Sequence, residues 1–313
     1  MHPTKAFAAR PIATKPFAAV LLSFFLALAC LAGPVEAARA DTPAEPHGRA
    51  YLFRGLIGLI DWGMDQLAER ITRTGVAATI DSHLVWRSIA TQAINDYRRD
   101  PKPITVIGHS IGGDAAVEFA ETLGAAHVPV ALLVTYDPTR AAGRIPANVE
   151  RYINLYQSSN FLGGGDLVPG GGFHGHYASY NLKDRPDVVH INMDKFDRIQ
   201  ELLTSKVRSA AAGSGRSEGE PVPLHIVFAA TGPIELWDSG VPVTAHAGDT
   251  LQSIAAEYRV PVWAVAQINK KAEGAALGDG EHIVVPRYLG AKLPNLAASP
   301  ATSPAASPAP AAR

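Results

Sequence analysis

The chain has 313 residues, of which 47% are hydrophobic and 18% are charged, and its formal net charge is -1. This is an ordinary globular composition with enough apolar residues for a core, and the length suggests roughly two domains. The charge is nearly balanced and shows none of the basic excess of a nucleic-acid-binding protein, so we expect no nucleic acid partner.

The N-terminal residues 1–40 have the pattern of an export signal. Basic side chains come first, at Lys5, Arg10 and Lys15. An almost wholly apolar run over 17–33 follows, and small residues at the spacing that a signal peptidase recognises end at Ala40. We therefore expect a signal peptide over 1–40, cleaved after Ala40, and an exported protein that is periplasmic or extracellular.

Two alternatives for this segment stay open. The apolar run could be retained as a membrane anchor, although it is slightly short for a span of roughly 20 residues. Cys30 could instead be lipid-modified, although Ala27 stands where that signal has a large aliphatic residue. Cys30 is the only cysteine, so cleavage after Ala40 leaves a mature chain without disulfides, with no stable membrane span, and stabilised by its core.

Apolar runs and helical patterns alternate over 49–209, which we predict to be the first domain. The predicted strands cover 51–53, 76–80, 104–107, 128–136, 152–156 and 177–182. The predicted helices cover 64–72, 86–99, 113–123 and a segment from an Asp194 cap to about Ser209. Strands that alternate with helices at this spacing imply a mainly parallel sheet with helices on both faces.

The rest of the chain divides into three predicted parts. Residues 210–240 begin with a stretch rich in Ala, Gly, Ser, Glu and Pro and are predicted to be a linker. Residues 241–289 form a second small domain in which two strands enclose two helices, the first helix capped by Asp249 or Thr250. Residues 290–313 are almost entirely Ala, Ser and Pro and are predicted to be disordered.

The sharpest motif is a G-x-S-x-G sequence at 108–112, between a buried strand and a helix. Its glycines allow close backbone approach in a tight turn that exposes the serine, and the helix N-terminus favours developing negative charge. Ser110 is therefore the predicted nucleophile. The alternative is a glycine-rich strand-to-helix turn without chemistry.

A serine hydroxyl needs a base and an acid that orients the base, here expected in the chain order serine, acid, histidine. His190 follows the last predicted strand and is the predicted base, whereas His174 and His176 are interpreted as solvated loop histidines. Asp137 ends a long apolar strand and is the predicted acid because the strand fixes its position. Asp166, in a glycine-rich loop after the next strand, is the alternative acid.

The oxyanion of an acyl-transfer reaction requires backbone donors. We expect one from Ile111, directly after the nucleophile, and another from Gly55 or Leu56, after an early strand. Arg54 is either an electrostatic helper or a surface charge. The sequence has no metal-ligand cluster, phosphate loop or dinucleotide fingerprint, so we expect neither a metal nor a cofactor.

Residues 50–209 resemble a compact member of the α/β-hydrolase family, close to bacterial lipases and esterases. The motif at 108–113 resembles the family's nucleophile elbow, and Arg54-Gly55 stands where the family often has His-Gly. The resemblance implies a serine ester hydrolase with a Ser-His-Asp triad and an open site. It leaves the substrate open among lipids, short esters, thioesters and wall acyl groups.

Residues 241–289 resemble a LysM module over nearly the full length of such modules. The resemblance is carried by Gly248-Asp249-Thr250-Leu251, by Asn269 and by the closing sequence at 283–286. It implies binding of N-acetylglucosamine-containing glycans such as peptidoglycan or chitin, with Gly248, Asp249, Thr250 and Asn269 on or supporting the groove. For Asn269 a helix-capping role, and for Asp249 a purely structural role, remain alternatives.

Together these features predict an exported serine ester hydrolase tethered to cell-wall glycan. Two alternatives stay open: a non-catalytic peptidoglycan-binding protein with a hydrolase-like scaffold, and an enzyme that removes acyl groups from wall glycan.

Overall fold

The computed structural model describes residues 47–56, 62–213 and 220–288. The predicted signal peptide, Cys30 and the Ala/Pro/Ser tail lie outside these residues. Within the described ranges, no helix is both long enough and apolar enough to cross a membrane.

Among the described residues, seven strands form one sheet. They are β1 (Arg49–Arg54), β2 (Ala77–Ser82), β3 (Ile104–His109), β4 (Leu132–Tyr136), β5 (Arg151–Tyr156), β6 (His176–Asn181) and β7 (Leu224–Val227). The strand order is β2-β1-β3-β4-β5-β6-β7, and every neighbouring pair is parallel. All carboxyl ends therefore lie at one edge of the sheet, which confirms the predicted parallel α/β architecture.

Four helices cover the two faces of this sheet. They are α1 (Trp62–Thr72), α2 (Trp86–Arg99), α3 (Ile111–Ala125) and α4 (Asp197–Ala211). Helices α1 and α4 bury apolar stripes on one face, and α2 and α3 do so on the other. The central strands β3, β4 and β5 are buried along their whole length because both faces are covered. This burial explains the mainly apolar sequences of β3 and β4. The start of α4 differs from the predicted Asp194 cap, because Phe196 occupies the cap position and Asp194 is buried in the preceding turn.

The predicted linker over 210–240 differs from the structure. Its part from 220 onward supplies β7, the last strand of the sheet, and Trp237, which is fully buried in the core. The strand has four residues and alternates buried with less buried positions, so it is too short to give a clear periodic signal.

The C-terminal module has the predicted order of two strands around two helices. It comprises β8 (Ser239–Thr244), α5 (Leu251–Glu257), α6 (Val262–Ile268) and β9 (His282–Arg287). Strands β8 and β9 pair antiparallel. The module has its own apolar core, to which Leu251, Ile254, Val265 and Ile283 contribute. Thr250 caps α5 through a capping box with Ser253.

The module packs on the edge of the seven-stranded sheet. The side-chain amide of Gln267 accepts a hydrogen bond from Val227 N at 3.0 Å and donates one to Val227 O at 2.8 Å. Trp263 lies against Phe228 and the buried Trp237, with ring centroids 6.4 and 5.9 Å apart. The module is therefore a packed layer of the structure, held by polar and aromatic contacts.

A buried ionic cluster also joins the module to the sheet. It includes His176, and the prediction that His176 is a solvated loop residue is wrong. His176 begins β6 and is buried, with its Nδ1 2.8 Å from Ser239 Oγ and 2.6 Å from Arg287 Nη2. Arg287 can only donate, so Nδ1 accepts and the ring is neutral. Burial lowers the pKa of His176 to about 4, against the opposing negative charge of Asp238. His174 is exposed, as expected.

Candidate active site

Ser110 occupies the turn between β3 and α3 in a strained backbone conformation. Its φ of 55° and ψ of -130° are unusual for a non-glycine residue. The motif glycines make the turn possible: a Cβ at Gly108 would lie 2.0 Å from Gly112 O, and one at Gly112 would lie 2.3 Å from Phe53 O. A larger residue at either position would collide with backbone, so the motif glycines are needed for this geometry.

Asp137 follows β4, the strand next to β3, and its carboxylate is fully buried. It accepts hydrogen bonds from His190 Nδ1 at 2.7 Å, Gln157 N at 2.9 Å, Gly164 N at 2.7 Å and the Asn160 amide. Burial alone would raise the pKa of Asp137, but these hydrogen bonds outweigh it and hold the pKa below its ordinary value. The carboxylate is therefore ionised at neutral pH.

His190 lies beside the Ser110 turn. Its carbonyl accepts a hydrogen bond from His109 Nε2 at 2.9 Å, and the two imidazole rings are 5.0 Å apart. With Nδ1 donating to Asp137, Nε2 is left with the lone pair that a general base needs. Among the described residues the Ser110 hydroxyl forms no hydrogen bond.

Asp166, the alternative acid, lies at another position. Its carboxylate accepts hydrogen bonds from Tyr156, Tyr177 and Ser179, and His225 Nδ1 lies 3.8 Å away. The structure thus brings His190 and Asp137 together beside Ser110 and places Asp166 in a separate polar cluster.

The expected oxyanion donors lie on elements next to the Ser110 turn. Ile111 is the first residue of α3, where backbone N–H groups have no partner inside the helix. Gly55 and Leu56 follow β1, whose end touches the same turn, since a Cβ at Gly112 would lie 2.6 Å from Arg54 O. Arg54 itself is paired with the partly exposed Asp65 of α1, which favours its interpretation as a surface charge.

Several residues that build the site were not singled out in the sequence. His109 and the Gln157 side chain hold the loop around His190, the latter by donating to Val188 O at 2.6 Å. Gly163 packs on the acid, because a Cβ there would lie 2.5 Å from Asp137 Cγ. The run of three glycines from Gly163 was the only available signal, and it indicated a loop without indicating what the loop encloses.

Exposed apolar side chains surround this end of the sheet. In the described parts of the chain, all large exposed hydrophobic residues lie in segments that leave the carboxyl ends of β1, β2, β5 and β6. They are Leu56, Trp62, Leu84, Val85, Phe161, Leu162, Val168, Val189 and Ile191. Because all carboxyl ends of a parallel sheet lie at one end of the sheet, exposed residues within a few positions of a strand end, such as Leu56 and Leu84, lie at the end that bears Ser110.

In the C-terminal module, the residues with predicted glycan roles have structural contacts. Gly248 has a φ of 94°, which favours glycine. Asp249 accepts hydrogen bonds from His246 N at 2.7 Å and Ser253 Oγ at 3.2 Å. The Asn269 amide donates to Val265 O and Val284 O and accepts from Val284 N, so it braces α6 against β9. These contacts support the shape of the loops and favour the structural alternatives for Asp249 and Asn269.

Among the residues that the structure describes, no three or more His, Cys, Asp or Glu side chains form a group able to hold a metal ion.

Comparisons with solved structures find α/β hydrolases and thioesterases of low similarity. A protein assigned as a hydrolase of the alpha/beta superfamily, from Xanthomonas campestris pv. campestris, is 17% identical, with 39% of this chain and 76% of that chain covered and a TM-score of 0.27. The NocB thioesterase domain from the nocardicin cluster is 14% identical, with 55% and 96% covered and a TM-score of 0.32. The type II thioesterase BorB from the borrelidin biosynthetic cluster is 13% identical, with 60% and 86% covered and a TM-score of 0.26.

No protein-family model matches the chain, and no curated protein matches its sequence. The structural similarities are too low to bear on activity. The α/β-hydrolase-like character of the scaffold rests on its parallel strand order and on the strand-turn-helix geometry around Ser110.

Proposed function

We propose that the protein is a serine ester hydrolase with Ser110 as nucleophile, His190 as general base and Asp137 as the acid that orients His190. The observation that carries the proposal is the 2.7 Å hydrogen bond between His190 Nδ1 and the buried Asp137 carboxylate, beside a serine in a strained strand-to-helix turn. A carboxylate, an imidazole and a serine in this order are the components of acyl transfer.

In this mechanism Ser110 Oγ attacks the acyl carbonyl while His190 Nε2 takes the hydroxyl proton. Asp137 remains ionised, which stabilises the imidazolium and fixes its tautomer. Backbone N–H groups of Ile111 and of Gly55 or Leu56 stabilise the oxyanion. His190 then returns its proton to the leaving alkoxide. Water, deprotonated by His190, attacks the acyl-enzyme in the same way, and the carboxylic acid product leaves as Ser110 regains its proton.

The apolar side chains around the site favour an ester with an apolar acyl part. Val189 and Ile191 flank His190 in sequence, and Leu56 adjoins the proposed oxyanion donors. Apolar surface stabilises a bound acyl chain by about 0.8 kcal/mol for each buried methylene. We expect kcat/KM to rise with acyl chain length in a panel of p-nitrophenyl esters, and a flat or falling series would contradict this substrate preference.

The first experiment is labelling of the purified protein with a fluorophosphonate probe, which reacts with activated serines. We expect labelling of the wild type and none of the Ser110→Ala variant. A folded wild type that stays unlabelled would instead support the non-catalytic alternative, a peptidoglycan-binding protein with a hydrolase-like scaffold.

We further propose that the protein is exported and that the C-terminal module binds N-acetylglucosamine-containing glycan at the cell wall. The support is the LysM-like sequence over 241–289 and the strand-helix-helix-strand order of the module. We expect wild type and Ser110→Ala to sediment equally with insoluble peptidoglycan, and absence from the pellet would contradict glycan binding. A wall-glycan deacylase would be favoured if acylated peptidoglycan were turned over faster than free esters.

A further inference from the structure

Three of the four donors to the Asp137 carboxylate come from one surface segment, residues 157–164. The backbone N–H groups of Gln157 and Gly164 donate to Oδ1, and the Asn160 amide donates to Oδ2. The position of the carboxylate therefore depends on how this segment is held at its two ends. One end continues directly from β5.

Asp166 holds the other end. Its carboxylate accepts hydrogen bonds from the hydroxyls of Tyr156 at 3.0 Å, Tyr177 at 3.3 Å and Ser179 at 2.6 Å. These donors belong to β5 and β6, so Asp166 ties the segment to two neighbouring strands of a rigid sheet.

Ser179 belongs to a polar row that crosses the sheet in register. Thr135, Asn154, Ser179 and His225 are successive partners on β4, β5, β6 and β7. The buried Asn154 amide donates to Gly165 O at 2.9 Å and to Ser179 Oγ at 3.2 Å. Buried polar groups without hydrogen-bond partners are destabilising. The polar row and the end of the segment supply hydrogen-bond partners to each other, which favours keeping them together.

The two tyrosines are permanent donors. Burial raises the pKa of Tyr156 and of Tyr177, and the neighbouring charge of Asp166 raises both further. Their hydroxyls therefore keep their protons at neutral pH and remain donors to Asp166.

We propose that Asp166 is a positioning residue for the catalytic acid, because it holds the segment whose donors fix Asp137. The inference rests on the proposed function, in which Asp137 orients His190. Asp166 touches neither Asp137 nor His190 in this arrangement; it acts through the backbone and the side chain of the segment between them.

The test is Asp166→Ala in the full chain, assayed on a p-nitrophenyl ester. We expect kcat to fall roughly 10- to 100-fold with KM nearly unchanged, since small displacements of catalytic groups cost about that much. Asp166→Asn keeps one acceptor oxygen and the side-chain size, so we expect it to retain most of the wild-type kcat. The matched control is Asp184→Ala, an exposed carboxylate after β6, for which we expect wild-type kcat.

A double-variant comparison separates positioning from general destabilisation. Asp137→Asn alone should lower kcat by roughly 10³- to 10⁴-fold, and adding Asp166→Ala should lower it little further, because both changes act on one unit. If the loss of kcat in the double variant equals the product of the two single losses, the positioning role is overturned. If Asp166→Ala fails to fold, Tyr156→Phe and Ser179→Ala each remove one donor, and unchanged kcat in both would overturn it as well.

The two proposals fail in different ways. A wild type without esterase turnover would overturn the proposed function together with this inference. Normal wild-type turnover that is lost in Ser110→Ala but retained at full kcat in Asp166→Ala would overturn the positioning role alone.

Discussion

The backbone N–H of Gln157 donates to Asp137 Oδ1 at 2.9 Å, while the Gln157 side-chain amide donates to Val188 O at 2.6 Å, two residues before His190. One residue therefore connects the acid with the loop that carries the base. Its side chain is buried, so it can keep the two in a fixed relation.

Gln157→Leu should loosen the base without moving the acid, because the backbone donor to Asp137 is retained. We expect kcat to fall roughly tenfold through misplacement of His190, and stability to fall by about 1–2 kcal/mol because Val188 O loses a buried partner. Ester kinetics and urea unfolding measure the two effects. Gln267→Leu, which removes the amide bound to edge strand β7, is the control and should lose stability while keeping wild-type kcat.

Gly163→Ala should strongly reduce the proposed ester hydrolysis through a steric effect on Asp137. The added methyl would lie 2.5 Å from Asp137 Cγ, so either the carboxylate or the segment must move. We expect a loss of kcat of about 100-fold. The control is Gly171→Ala in the same glycine-rich region, where an added Cβ meets nothing within 4 Å. Equal activity of the two alanine variants would contradict this account.

His176 should make stability depend on pH. Burial lowers its folded pKa to about 4, below the ordinary value of 6.5, so the unfolded chain takes up a proton that the folded chain refuses. Stability is therefore lost as pH falls from about 6.5 towards 4, by up to about 3 kcal/mol. Melting temperatures measured across this pH range should change less with pH for His176→Gln than for the wild type. A wild-type slope that persists in the variant would assign the effect to other groups.

Lys206 should be a source of instability at neutral pH. Burial lowers its pKa to about 8, against the charges of Asp238 and Glu235, and its Nζ lies 5.8 Å from the Tyr288 ring centroid. Between about pH 8 and 10.5 the unfolded chain binds more protons, so wild-type stability rises with pH. Lys206→Met should keep the apolar stem, raise the melting temperature at pH 7 by a few degrees and lose that slope.

The sequence indicated the features that follow from local pattern. Continuous apolar runs predict β3 and β4, and the glycines at 108 and 112 predict the turn because they flank Ser110 at a fixed spacing between a strand and a helix. Asp137 could be placed because it ends a strand. Each of these inferences uses information that lies within one element and its neighbours.

The missed features depend on contacts between distant segments. Nothing near Gln157 in sequence indicates that its side chain reaches Val188, and nothing near Gly163 indicates that it packs on Asp137. The sequence predicts a linker where β7 lies because a strand of four residues carries too little periodicity, and the place of β7 depends on pairing with β6. His176 resembled a loop residue because its partners, Ser239 and Arg287, lie more than 60 residues away.

The side-chain amide of Gln267 pairs with the outer edge of β7 through one donor and one acceptor. A single peptide group of an eighth strand would pair with β7 in the same way. An uncovered edge strand is a template for aggregation, so the C-terminal module also protects the sheet from self-association. We therefore expect a chain shortened to end at 209 to aggregate, because it would lose both β7 and the module that covers it. The same contacts fix the orientation of the module relative to the sheet that carries Ser110.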